Sequence, residues 1–297
     1  MSKEFKSGFV SIIGKPNVGK STLLNTIVGE KIAIISNKPQ TTRNKILAIY
    51  NSDDCQIVFT DTPGIHKPRT KLSEYMVKIA NDSIKEMDVV LFVVDATIPT
   101  TNTERDIAAN LKSLGVPAIL VINKVDLVKK ETLLPLIADF SGLHNFEAIV
   151  PISALKADGI NSLLSEIKHF MLPGPAFFPN DMITDQPEKQ IAAEIIREKL
   201  LWLLDKEIPH GIAIEIVKMK EEKKLTSILA NIYCEKPSHK GIVIGKNGSV
   251  LKKVGQMARI DIEKMLGKKV YLELFVKVKS DWRNNNYLLK NFGYTQQ

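Results

Sequence analysis

A chain of 297 residues is long for one hydrophobic core and comfortable for two domains. With 44% hydrophobic and 25% charged residues it has an ordinary soluble composition, and no apolar run approaches the ~20 residues of a membrane span. The net charge of +8 is unevenly placed: residues 236–290 hold 13 Lys and Arg against 4 Asp and Glu, which points to a polyanionic partner, nucleic acid before membrane.

The N-terminal residues lack an apolar segment, so no secretory signal is expected. Cys55 and Cys234 have neither disulfide nor metal spacing, which predicts a reducing cytoplasm. His66, His144, His169, His210 and His239 show no ligand pairing.

Residues 8–13 form an apolar run that predicts a buried strand, and residues 22–28 predict a helix. Between them stands Gly14-Lys15-Pro16-Asn17-Val18-Gly19-Lys20-Ser21, followed by Thr22. This is G-x-x-x-x-G-K-S in the strand–loop–helix context that a phosphate-binding loop needs. Gly14 and Gly19 permit backbone torsions closed to other residues, so successive N–H groups face an anion at a helix N-terminus. Lys20 places a charge between the β- and γ-phosphates, and Ser21 offers a hydroxyl to Mg²⁺.

A polar connector covers residues 31–44. Strands are predicted over 45–50 and 56–60, joined by a polar turn at 51–54. The second strand delivers Asp61-Thr62-Pro63-Gly64. Asp61 is placed to hold Mg²⁺ through water, and Gly64 to turn its N–H toward the γ-phosphate. A helix over 72–86, a strand over 88–95, a helix near 103–114 and a strand over 118–122 follow. Strands alternating with helices predict a mainly parallel sheet with right-handed crossovers, ligands sitting at the strands' carboxyl ends.

Asn123-Lys124-Val125-Asp126 comes next. A carboxylate accepts two parallel hydrogen bonds from guanine N1–H and its exocyclic amine, and adenine has no such donor pair on that edge. The Lys124 stem can lie against the base, and Asn123 can tie this loop to the phosphate loop. A further strand over 148–150 leads to Ser153 and Ala154, whose N–H is placed to meet guanine O6, with Lys156 just beyond.

In this order the motifs resemble the translation-factor-like branch of P-loop GTPases, over residues 8 to about 171. The resemblance implies GTP hydrolysis to GDP and phosphate with Mg²⁺. In that family a connector threonine closes on Mg²⁺ and the γ-phosphate; Thr42 is the choice here, with Thr41 the alternative. Lys20, Thr42 and Gly64 are thus the expected catalytic set. P-loop GTPases with P-N-x-G-K-S often bind K⁺ through the Asn, so Asn17 is a candidate K⁺ ligand. One departure stands out: Ile65 occupies the place where many small GTPases carry a water-orienting Gln. Slow intrinsic turnover is expected, and a nucleotide-binding RNA scaffold with negligible turnover is the alternative reading.

Four prolines between 173 and 187 break the helical pattern and predict a linker between a GTPase domain (1–172) and a second domain (188–297). The latter reads α-β-β-α-α-β, with a helix over 188–206, strands over 212–217 and 225–233, helices over 240–244 and 249–266, and a strand over 271–278. Gly245-Lys246-Asn247-Gly248 separates its two adjacent helices. This resembles an α+β type II KH domain, whose Gly-x-x-Gly loop clamps a single-stranded backbone of about four nucleotides. Lys246, Lys252 and Lys253 would supply charge. Trp282 and Tyr287 in the tail are expected to pack.

A P-loop GTPase followed directly by a KH domain is similar to one family of bacterial ribosome-associated GTPases. That similarity implies binding to 16S ribosomal RNA near its 3′ end, action in assembly of the small (30S) ribosomal subunit, a monomeric state, and a cytoplasmic location with a peripheral inner-membrane fraction.

Overall fold

The computed structural model of the chain describes residues 4–38, 40–64, 70–83 and 87–294. It divides into two units: Met1–Ala33, Thr42–Lys67 and Met76–Asp185 form the first, and Ile34–Thr41, Pro68–Tyr75 and Gln186–Gln297 the second.

In the first unit the apolar runs become strands buried on both faces, as a helix-covered parallel sheet requires. They are β1 (Lys6–Ile13), β2 (Ile46–Asn51), β3 (Cys55–Asp61), β4 (Val89–Asp95), β5 (Ala118–Asn123) and β6 (Ala148–Pro151), in the spatial order β2-β3-β1-β4-β5-β6. Only the β2–β3 hairpin is antiparallel along this path. Intervening in sequence are α1 (Lys20–Val28), α2 (Lys71–Asp82), α3 (Asn102–Leu114), α4 (Leu133–Ser141) and α5 (Ile160–Lys168). The strand alternation divides the core into two layers. Val89, Leu91 and Val93 join one cluster with Leu24 and Leu163, while Val90, Phe92 and Val94 join the other with Leu111 and Phe140. The sequence reading omits α4 and α5; Pro135 falls in the first turn of α4, where its missing N–H is tolerated.

The proline-rich stretch expected as a linker over 173–187 is packed. A short strand, β7 (Leu172–Pro173), pairs antiparallel with β1. The N–H groups of Phe177 and Phe178 donate to Gln56 Oε1 at 2.7 and 2.9 Å, and the Phe177 ring centroid lies 4.7 Å from that of Phe9. Thr184 Oγ1 donates to the Leu47 carbonyl at 2.7 Å. Proline prevents a helix here but leaves the neighbouring N–H groups free to dock on the sheet margin. The division between units accordingly falls after Asp185.

The second unit carries α6 (Glu188–Leu203), β8 (Ala213–Glu221), β9 (Leu225–Cys234), α7 (Pro237–Ile244), α8 (Ser249–Leu266), β10 (Lys269–Val278) and α9 (Asn286–Asn291). Its sheet runs β10-β9-β8, with β10 parallel to β9. Ile195, Ile214, Ile232, Val254, Ile262 and Val276 lie in its core. Trp282 is fully buried, donates from Nε1 to the Gly211 carbonyl at 2.9 Å and stacks on Tyr294, so it packs as expected. Tyr287 does not: it is 72% exposed. Residues 34–41 also belong to this unit. The Ile35 N–H donates to Glu198 Oε1 at 2.9 Å, Trp202 Nε1 donates to the Ile35 carbonyl at 2.9 Å, and Lys38 pairs with Asp205 at 3.0 Å.

Candidate nucleotide site and nucleic-acid interface

The carboxyl ends of β1, β3, β4 and β5 bring the first-unit motifs together. Gly14 has φ +148° and lies against the Val93 carbonyl, leaving no room for a Cβ. Gly19 has φ +101° and caps α1 directly against Asn123 Nδ2. The loop can therefore wrap tightly only with glycine at both positions. Thr22 lies in the first turn of α1 beside Ser21, and Val18 is buried.

Lys20 is buried, and its ammonium donates to the Gly14 and Lys15 carbonyls at 3.1 and 2.9 Å. Burial pushes its pKa down to about 8 against the opposing pull of Asp61. Burial also raises the Asp61 carboxyl, against Lys20 and the hydroxyls of Ser21 and Thr42. Ser21 Oγ donates to Asp61 Oδ2 at 2.7 Å and lies 3.0 Å from Thr42 Oγ1, which donates to the same carboxylate oxygen at 3.3 Å. Thr41 Oγ1 turns away to the Lys38 carbonyl at 2.6 Å. Asp61 Oδ1 is buried without a hydrogen-bond partner among the described residues. Three hard oxygen groups and an orphaned carboxylate oxygen fit Mg²⁺, with Ser21 and Thr42 as ligands and Asp61 beside them.

In the Asp61-Thr62-Pro63-Gly64 stretch the residues divide their work. The Thr62 hydroxyl donates to the Ile12 carbonyl at 3.0 Å and ties this loop to β1, and Pro63 is buried. A Cβ on Gly64 would lie 2.8 Å from Pro16 N and 2.9 Å from Pro16 Cα, so the loop touches the phosphate loop only because Gly64 lacks a side chain. Ile65 falls outside the described residues.

At the base end, Asn123 Nδ2 donates to the Val18 carbonyl at 2.8 Å. Its Oδ1 accepts the Ala154 N–H at 3.0 Å, so this N–H is engaged rather than open toward a base as expected. Ser153 is buried, and its backbone pairs with Asp158. Asp126 and Lys156 are exposed. Lys124 has φ +67°, and its ammonium donates to the Asn17 carbonyl at 2.9 Å and to Asp95 Oδ2 at 2.5 Å. Asp95, at the carboxyl end of β4, is a site residue the sequence reading did not assign. Burial alone would raise its carboxyl, but hydrogen bonds from Lys124 and Thr97 outweigh it and hold the pKa below the ordinary value. The signal was present: a buried apolar strand ending in Asp. Asn17 is exposed at the loop crest with φ +66°, and Lys15 pairs with Glu104 at 3.2 Å.

In the second unit, the loop between α7 and α8 holds Gly245 at φ +75° and Gly248 at φ +77°, with Asn247 also left-handed at φ +51°. Lys246, Asn247, Lys252 and Lys253 are all exposed. Beside the loop runs a groove of about 460 Å³ between α8 and β10, where Lys252, Gly255, Gln256 and Arg259 face Tyr271 and Leu274. Gln256, Arg259 and Tyr271 were not singled out from sequence. The helical spacing of Lys252, Gln256 and Arg259 could have placed them on one stripe.

Residues 9–124 match the 50S ribosome-binding GTPase family, and residues 207–283 match the KH domain family. The chain is 56% identical to GTPase Era of Ruminiclostridium cellulolyticum, over 98% of both chains. It is 53% identical to GTPase Era of Clostridioides difficile, over 99% of this chain and all of that one. A crystal structure of Era in complex with MgGDPNP and nucleotides 1506–1542 of 16S ribosomal RNA superposes with a TM-score of 0.95 at 43% identity, covering 98% of this chain and all of that one. A crystal structure of a tyrosine-to-alanine variant of Aquifex aeolicus Era bound to GDP·AlF4⁻ has the same score, identity and coverage.

Proposed function

The chain belongs to the Era family of GTPases, and we propose that it is a GTP-hydrolysing switch that binds the 3′ region of 16S ribosomal RNA during assembly of the small ribosomal subunit. The observation that carries the switch is the meeting of Ser21, Thr42 and Asp61 within 3.3 Å beneath the phosphate loop. These residues sit on three separate segments, and one Mg²⁺ with a γ-phosphate would hold all three; losing the phosphate would release the Thr42 and Gly64 segments. When bound, Mg²⁺ neutralises charge developing on the phosphates. The protein supplies Lys20 and the backbone of 14–21 to hold the β- and γ-phosphates, Asp126 to accept guanine, and Gly64 to let its loop approach.

Ile35 and Thr41, just before Thr42, are held by Glu198, Trp202 and Arg197 of α6, and Lys38 by Asp205 just after it, all within the second unit. That anchoring supports coupling between nucleotide state and RNA grip. RNA enters at the Gly245–Gly248 loop, with phosphates near Lys246, Lys252 and Lys253. K⁺ beside Asn17 and a peripheral membrane contact of a monomeric protein belong to the same reading. Among the described residues no helix is long and apolar enough to cross a membrane.

The test is phosphate release from GTP and from ATP, with Mg²⁺, in K⁺ and in Na⁺, with and without a 16S 3′-terminal fragment. Release from GTP, greater in K⁺, is expected. No release under any condition leaves a nucleotide-binding RNA scaffold, and equal rates in K⁺ and Na⁺ remove K⁺ from the reading. Flotation with anionic vesicles tests the membrane contact.

A further inference from the structure

The basic segment of the second unit is larger than the Gly-x-x-Gly loop needs. Lys246, Lys252 and Lys253 account for three of its 13 cations. Two of the others, Lys269 and Lys277, lie on the face of the β10-β9-β8 sheet opposite the helices, joined there by Lys218 and Lys220 of β8. Along β10, Val270, Leu272, Leu274, Val276 and Val278 point into the core. The alternating set Lys269, Tyr271, Glu273, Phe275 and Lys277 therefore shares the outer face. Tyr271 is 55% exposed and Phe275 50%. On β8, Met219 packs on the core, so its neighbours Lys218 and Lys220 lie on the outer face, opposite Leu229 and Ser227 of β9. Both outer-face carboxylates are engaged: Glu273 accepts the Tyr271 hydroxyl at 2.7 Å, and Glu215 accepts that of Tyr233 at 2.7 Å.

We propose that this outer sheet face is a second contact surface for single-stranded RNA, continuous with the groove beside α8. Two exposed aromatic rings four residues apart on one strand, beside Lys218 and Lys277, combine stacking platforms with phosphate-pairing charge, while Lys220 and Lys269 pair with Glu222 and Glu263 at 2.9 and 3.5 Å. Tyr271 lies on both surfaces: it lines the groove and opens the outer face. A strand leaving the groove past the free edge of β10 meets Tyr271 first and then Phe275. The inference rests on the RNA reading of the Gly245–Gly248 loop.

Strand length separates the two. A five-nucleotide RNA fills the groove alone, while a 20-nucleotide RNA of the same 5′ sequence reaches the outer face. Phe275→Ala, and Phe275→Leu as a variant that keeps apolar bulk, should each lower affinity for the 20-mer roughly tenfold and leave the 5-mer unchanged. Lys277→Ala should reduce the salt slope for the 20-mer by about 0.7 and not that for the 5-mer. Equal affinity of all variants for the 20-mer overturns the proposal. So does equal loss on both lengths with an unchanged Tm, or a photo-crosslinker at position 275 that captures protein and no RNA. Failure of the 5-mer to bind wild type removes the groove reading instead.

Discussion

Asn123 spans two loops: its amide nitrogen donates to the Val18 carbonyl at 2.8 Å, and its oxygen accepts the Ala154 N–H. All of these groups are buried. Asn123→Ala strands a carbonyl and an N–H, each costing about 1–3 kcal/mol. GDP affinity should fall by one to two orders of magnitude with a lower Tm of the nucleotide-free protein, read by calorimetry and thermal unfolding. An unchanged affinity would mean the loops hold their places without it.

Asp126 is exposed in the 3₁₀ turn after Lys124, so its carboxylate carries no burial cost until a base covers it. Asp126→Asn should leave stability unchanged, lower GTP affinity and raise that for xanthosine triphosphate, whose C2 oxygen accepts the new amide N–H. Competition binding with both nucleotides checks this. Loss of both would place the base elsewhere.

The candidate nucleotide site was largely legible in the sequence because the structure brings together four short runs, each at a strand's end, where the fold leaves little choice of position. Asp95 was harder: its role comes from lying beside β5, where Asp95 pairs in register with Asn123. The same holds for Arg259 and Tyr271, which meet across the groove because α8 lies beside β10. The proline-rich segment marked where the units divide, after Asp185, but not its docking on β1 and β3, because proline reports what the chain cannot form, not what its other N–H groups bind. Residues 34–41 read as part of the first domain by position in sequence. Their partners, Glu198 and Trp202, lie over 160 residues away, a pairing that no local pattern encodes.

Lys20 titrates at about 8 in the folded protein against an ordinary 10.5. Between those values the unfolded chain binds more protons, so this group makes stability rise with pH, by about 3 kcal/mol in all. Thermal unfolding of the nucleotide-free protein from pH 8 to 10 should show this rise relative to Lys20→Met, which lacks the titration. The same variant should be the more stable at pH 7 and fail to bind GTP. Parallel pH profiles would show that Lys20 is solvated.

In the second unit Lys199 and Glu198 are both buried, with 2.7 Å between charges, and Lys199 also reaches Asp261 at 2.5 Å. Lys199→Met removes the cation 2.7 Å from the buried Glu198 carboxylate and should cost about 3 kcal/mol. Lys199→Met with Glu198→Gln should recover part of that loss. If the single variant costs no more than the double, the pair contributes charge but no mutual dependence. Chemical denaturation of the full chain measures both.

Gly245 and Gly248, the two glycines of the proposed RNA-binding loop, are not equivalent. A Cβ on Gly245 would lie 2.5 Å from Val250 Cγ2 and 2.8 Å from its nitrogen, at φ +75°, whereas one on Gly248 would meet nothing within 4 Å. Gly245→Ala should therefore destabilise the unit by about 1–3 kcal/mol, through strain and displacement of the α8 start. Gly248→Ala carries only the left-handed torsion, about 1 kcal/mol. The open space at Gly248 is where an RNA backbone can approach, and its methyl should weaken RNA binding with little change in Tm. Full RNA affinity in Gly248→Ala would show that the strand does not close on this loop; a large fall in Tm there would show that the open side is filled by protein.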